Sequence, residues 1–246
     1  MANWQDPQTT GVTAATVGVP RAARDVGLRS YMLSVYNYMA SGVLLTGIVA
    51  LLFAPYAGQV LVSASGRGLS GLGWIITLSP LAIVFAMSFG AARMRTSTLQ
   101  MLFWAFAGLM GLSMSTLFLA YTGASIAQTF FATAASYLGL SLYGYTTKRD
   151  LSGFGTFLIM GVVGLLVAML INLFLQSSAM ALAISAIGVL LFAGLTAYDT
   201  QRIKSMYFYV QGTEMAGKTV ILGALTLYLD FINMFQFLLS FMGDRR

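Results

Sequence analysis

The stretch Ala224–Phe241 reads ALTLYLDFINMFQFLLSF, an apolar run with one carboxylate, Asp230, near its middle. A charged side chain at the centre of a membrane helix costs roughly 2.5–3.5 kcal/mol on insertion scales, so an ionisable residue there marks a candidate functional site. Asn233 lies three residues on and Gln236 three further, which puts all three polar groups on one helical stripe. Such a stripe belongs against other helices or a water cavity, not against lipid.

The rest of the chain fits this reading. Hydrophobic residues make up 58% of the 246 and charged residues 8%. Soluble domains carry about 25% charged residues, so this chain cannot clothe itself in a polar surface. An all-α, polytopic membrane protein embedded in a lipid bilayer follows. The net charge of +6 sits between apolar runs, as in cytoplasmic loops. No polar segment interleaves basic and aromatic residues, so nucleic acid is not an expected partner. Cysteine and histidine are both absent, which excludes disulfides, thiol chemistry and His/Cys metal sites. No bound cofactor is expected.

A spanning helix needs about 20 apolar residues. Seven segments qualify, roughly 31–54, 71–92, 98–120, 125–145, 153–175, 180–202 and 219–242. The first is expected to stop before Ala54-Pro55, because a residue preceding proline disfavours helix. Pro80 removes a backbone bond inside the second and is expected to kink it. Short loops argue for one seven-helix domain over 30–246, preceded by a polar tail over 1–29 that is disordered to about Val19. The tail lacks the apolar core of a cleaved signal peptide. Gly66-Arg67-Gly68-Leu69-Ser70-Gly71 matches GxGxxG by letter. It joins two membrane helices instead of following a strand, so it reads as a turn and not a nucleotide site. The small residues of segments three and four, such as Gly108, Gly111, Ala132 and Gly139, read as helix packing.

With the N-terminus inside, ten of the thirteen basic residues fall on the cytoplasmic side: Arg21, Arg24, Arg29, Arg93, Arg95, Lys148, Arg149, Arg202, Lys204 and Lys218. Arg67, Arg245 and Arg246 remain outside. The positive-inside rule therefore favours a cytoplasmic N-terminus. Seven spans put the C-terminus outside; a re-entrant last segment would return it inside. On this topology Asp199, near the end of segment six, and Asp230 both fall in the inner half of the membrane. The spacing leaves open whether they touch.

Three stretches carry a family resemblance. They are Leu227-Tyr228-Leu229-Asp230-Phe231-Ile232-Asn233-Met234-Phe235, Leu195-Thr196-Ala197-Tyr198-Asp199-Thr200-Gln201, and SLYGYTTKRDLS over Ser141–Ser152. Together the chain from about Pro20 onward resembles the Bax inhibitor-1 family, in its bacterial inner-membrane branch. The resemblance implies a seven-helix fold with the last helix central. It also implies a pH-dependent calcium leak controlled by a di-aspartyl pair, at Asp199 and Asp230 here, with calcium as a weakly and transiently bound transported ion. An arginine near the end of the second helix serves the family as a latch, and Arg93 and Arg95 both occupy that region. A further acid sometimes found in the family's second helix is missing between Gly71 and Ala92.

Two nearby carboxylates in a low-dielectric site cannot both ionise cheaply, so they share a proton. Deprotonation then creates a repulsion that a cation or an arginine must offset. Asn233, carbonyls and water could complete a calcium transit site. Tyr198 and Tyr228, close to the acids in sequence, either donate to the pair or pack the bundle, with packing favoured. The rival expectation from the same branch is a non-conducting factor that modulates a membrane-bound AAA protease, with the N-terminal tail as its handle. An enzyme is not expected: Tyr198 and Leu229 precede the acids where an intramembrane aspartyl protease would carry glycine. No oligomeric state follows from the sequence.

Overall fold

A computed structural model describes residues 21–63 and 68–245, with side-chain surroundings from Val26 onward. The expected handle at 1–19, Arg67 and Arg246 lie outside the described residues. Seven long helices account for the bundle: α1 (Arg21–Leu61), α2 (Gly71–Gly90), α3 (Thr96–Met114), α5 (Gly123–Thr146), α6 (Ser152–Leu175), α7 (Ser178–Val210) and α8 (Met215–Met242). A single turn, α4 (Leu117–Ala120), prolongs α3. Only isolated bridges, Val62 to Leu69 and Tyr121 to Arg245, pair extended backbone among the described residues.

Local chemistry sets the helix starts. Ser70 accepts from the Gly73 N–H at 2.9 Å, Thr122 from Ser125 at 3.3 Å and Ser177 from Met180 at 3.3 Å. Each satisfies a donor that the first helical turn leaves free. The GxGxxG letters thus end in an N-cap and hold a left-handed Gly68 (φ 79°). Between α6 and α7 the chain reverses through Gln176, left-handed at φ 51°. The Asn172 carboxamide oxygen accepts from the Ser177 N–H at 3.0 Å and braces that turn.

Two helix ends differ from the sequence expectation. The α1 helix starts at Arg21 and runs through Pro55 to Leu61. The pre-proline preference is local, and tertiary packing overrides it: Ala57 and Leu61 are fully buried. Likewise α2 passes unbroken through Pro80, which is buried. The freed carbonyl of a membrane helix is re-satisfied by neighbours.

Six of the seven long helices are long and apolar enough to cross a membrane. The exception, α5, has the length, at 24 residues or about 36 Å. It falls short because one face repeats polar groups every fourth position: Ser125, Thr129, Thr133, Tyr137 and Ser141. All five are buried in the bundle.

The last helix is the axis of the fold. It packs against α1, α3, α5 and α7, while α2 leans on α3 and α1, and α6 mainly on α7. Its 28 residues span about 42 Å. Near its start Lys218 donates to the Ala91 and Ala92 carbonyls, and just past its end the Asp244 backbone meets Thr122 and Ser125. The last helix therefore runs the length of the bundle, from the α2–α3 turn to the α4–α5 turn. Tyr228, fully buried, ties α8 to α1 and α3. The Thr46 hydroxyl lies 3.0 Å and 2.8 Å from the Gly42 and Ala107 carbonyls and 2.7 Å from the Tyr228 hydroxyl. Its one proton serves a carbonyl, so Tyr228 is the donor.

Candidate functional site

Asp199 on α7 and Asp230 on α8 meet inside the bundle. They are 7% and 4% exposed, and their carboxyl groups pair side chain to side chain. The antiparallel register of α7 and α8 brings them together and repeats outward as a ladder. Two turns beyond the acids, Phe192 and Phe237 stack with centroids 5.8 Å apart; beyond those, Ser185 bonds Ser240 at 3.0 Å. Close approach of α5 to α7 closes another side. At Gly144 a Cβ atom would collide with the Ala197 carbonyl, two residues before Asp199.

The surroundings are polar but sparsely bonded. The outer oxygen of Asp230, Oδ2, and the Tyr137 hydroxyl are buried with no protein partner. Tyr137 lies within electrostatic reach of both acids. On the side facing the helix end that carries Arg202, a relay of hydroxyls crosses three helices. Tyr36 lies 2.7 Å from Ser141, and Ser141 lies 3.1 Å from Thr200. Thr200 donates its own proton to the Thr196 carbonyl at 2.7 Å. Behind Tyr36 and Tyr137, a cavity of about 750 Å³ opens between α1 and α5.

The other residues singled out in sequence fall elsewhere. Arg202 is the cation acting on Asp199, whereas Arg93 and Arg95 stand exposed around the α2–α3 turn. That turn is held by Lys218. Tyr228 serves the α1–α3–α8 contact, and Tyr198 lies against Gly155 of α6, so both are packing groups. Asn233 lines a groove between α6, α7 and α8. Among the described residues no group of three His, Cys, Asp or Glu side chains gathers anywhere. A cation at the pair would meet two carboxylates and complete its shell with neutral oxygens.

Sequence reasoning missed the α5 contribution. Tyr137 and Ser141 belong to the every-fourth polar stripe, a signal readable from the letters as Ser125, Thr129, Thr133, Tyr137 and Ser141. It also missed Gln201, whose Oε1 accepts from the Leu151 N–H at 2.8 Å while its Nε2 donates to the Arg149 carbonyl at 2.8 Å. The loop so fixed carries Asp150, where the Ser152 backbone N–H and hydroxyl hold the carboxyl below its ordinary range.

A family model described as "Inhibitor of apoptosis-promoting Bax1" matches residues 28–246. The chain belongs to the Bax inhibitor-1 family. Relatives extend the match over nearly the full length. An uncharacterized protein of Rickettsia prowazekii (strain Madrid E) is 48% identical over 222 residues, covering 90% of this chain and 92% of that protein. The inner membrane protein YbhL of Escherichia coli (strain K12) is 45% identical over 229 residues, covering 92% and 95%. An uncharacterized membrane protein of Streptococcus pyogenes serotype M3 is 37% identical over 220 residues, covering 89% and 94%. The family assignment covers every long helix and both acids of the pair. It fits a multi-pass membrane protein built around a buried pair of carboxyl groups.

Proposed function

We propose that the chain is a pH-controlled calcium leak of the cell inner membrane, gated by the Asp199–Asp230 pair. The observation that carries this reading is the burial of two paired carboxyls between α7 and α8, with Asp230 Oδ2 left without a protein partner. A buried polar atom without a partner is costly, so a shared proton or a passing cation has a place to act. No enzyme chemistry is assigned to the site.

At low pH the pair shares a proton and holds α7 against α8. Raising the pH removes it, and two like charges in a low-dielectric site repel. Beyond the acids themselves, the charged and titratable groups acting there are Arg202 on α7 and Tyr137 on α5, and Tyr137 in turn feels Tyr36 on α1. Repulsion loosens α8 and admits calcium, which needs several oxygen ligands. Two carboxylates with hydroxyls and water make a weak transit site and not a cage. The latch is Arg93 or Arg95: brought inward, either would offset the second charge, and that motion requires Lys218 to release the α2 carbonyls. The basic end faces the cytoplasm, which puts the N-terminus inside.

The test is calcium flux into proteoliposomes of the purified protein at pH 6 and pH 8. A leak above empty liposomes that grows with pH is the expected result. Replacing the latch, as Arg93→Gln or Arg95→Gln, raises the leak if that arginine closes the gate. Absence of flux at both values overturns the leak and leaves the rival reading, a regulator of a membrane protease that tolerates Asp→Asn at both positions.

A further inference from the structure

A cavity of about 570 Å³ opens between α6, α7 and α8, with Phe192 and Phe237 in its lining. Its polar lining comes from Asn172, Gln176, Ser185, Asn233, Gln236 and Ser240. These sit toward the end of the bundle opposite the basic one, where α6 turns into α7 and α8 finishes. Asn233 is half-buried and Gln236 exposed. Among the described residues, no hydrogen bond reaches either side-chain amide. The most apolar span, α6, forms one wall, and Ser185, Asn233, Gln236 and Ser240 line the cavity from α7 and α8. An unpaired amide in hydrocarbon costs several kcal/mol, so this space is not filled by lipid tails.

Part of the lining has a different character. Phe237 lies flat on Gly188, where any Cβ atom would overlap the ring, and it stacks on Phe192 with planes 21° apart. Asn233, also in the lining, is only three residues from Asp230, one helical turn or about 4.5 Å along the axis. Phe237 itself is seven residues from Asp230, so on α8 the cavity reaches past the phenyl pair, at Asn233, toward the acids.

We infer that this cavity is a water-filled vestibule open to the face opposite the basic end and that it receives hydrated cations through neutral amide and hydroxyl oxygens. The cation in this statement rests on the leak proposed above; the water does not. The inference adds a second chamber to the site and assigns Asn233 and Gln236 to it.

The chain has no cysteine, so single thiols report access directly. Asn233→Cys and Gln236→Cys, with Leu170→Cys on the lipid-exposed face of α6 as reference, are exposed in right-side-out membrane vesicles to a charged, impermeant methanethiosulfonate reagent. Both vestibule variants should react at least about tenfold faster than the reference, because charged groups enter hydrocarbon so reluctantly. Rates equal to the reference overturn the vestibule. Oxidative cross-linking of two chains through Gln236→Cys, with protection from the reagent, also overturns it by showing a second copy seated there.

Labelling needs no ion flux, so these outcomes stand apart from success or failure of the leak.

Discussion

Helices α6 and α8 invert the rule that governs soluble proteins. Of all the spans, α6 is the most apolar, yet only 11% of its most apolar stretch is buried; the less apolar α8 has 67% buried. Lipid tails are as apolar as leucine, so apolar surface gains little by turning inward. Polar groups cannot face the tails at all without cost. The bundle therefore sorts its helices by polarity: α6 outside, α8 at the axis, and α5 beside it with a hydroxyl stripe toward the core. The acid pair is the extreme case of that sorting.

The comparison breaks most sharply at a helix contact that only α5 and α7 make. Gly144→Leu would drive a side chain into the Ala197 backbone, and overpacking of a rigid contact costs about 1–3 kcal/mol or more. Loss of the folded protein from detergent extracts, or a large drop in thermal midpoint, is the expected outcome. The same substitution at Gly164 of α6, which has open space where a Cβ would stand, should leave the midpoint within error.

A matched truncation sharpens the contrast between the two helices themselves. Leu227 of α8 is fully buried and Leu166 of α6 is 55% exposed. Leu227→Ala should cost on the order of 2 kcal/mol, the low end of the soluble-protein range, because the cavity term survives in lipid while the transfer term shrinks. Leu166→Ala should stay within about 0.5 kcal/mol. Equal losses in a denaturant or thermal series would contradict the sorting.

Smaller still is the effect of Tyr228→Phe. It removes the donor to Thr46, and hydrogen bonds between membrane helices average about 0.6 kcal/mol. A modest fall in thermal midpoint with an unchanged pH profile of the leak is expected, since Tyr228 does not touch the acids. The smallest effect is at Asp150, outside the membrane. Its folded carboxyl is held below the ordinary range by Ser152, so its contribution is present above the unfolded pKa, about 3.9. It fades as pH falls through the folded value. Asp150→Asn should flatten the acid limb of a stability-versus-pH curve slightly and lower stability slightly at neutral pH, where the wild-type contribution is complete.

Much of this arrangement was legible in the letters. Apolar length located the seven helices, and one aspartate in the run of α8 marked the centre. The sequence stretches around Asp199 and Asp230 carried the family. What stayed hidden was geometry. Periodicity cannot say which polar stripe faces which, so Asn233, three residues from Asp230, looked like its partner but lines the groove between α6, α7 and α8. Tyr137, far away in sequence, stands beside the pair. Pro55 looked like an end because local backbone preference is visible in sequence, whereas the burial of Ala57 and Leu61 that overrides it is not.

The most direct test of the central claim is whether the two acids act as one unit. Calcium leak is followed in proteoliposomes from pH 6 to pH 8 for the wild type, Asp199→Asn, Asp230→Asn and the double variant. Residues in direct contact couple, and double-variant cycles measure how far they depart from additivity. Each single substitution should remove the pH dependence, and the double should match the singles. Two independent, additive effects, or a pH dependence that survives either substitution, would contradict the paired gate.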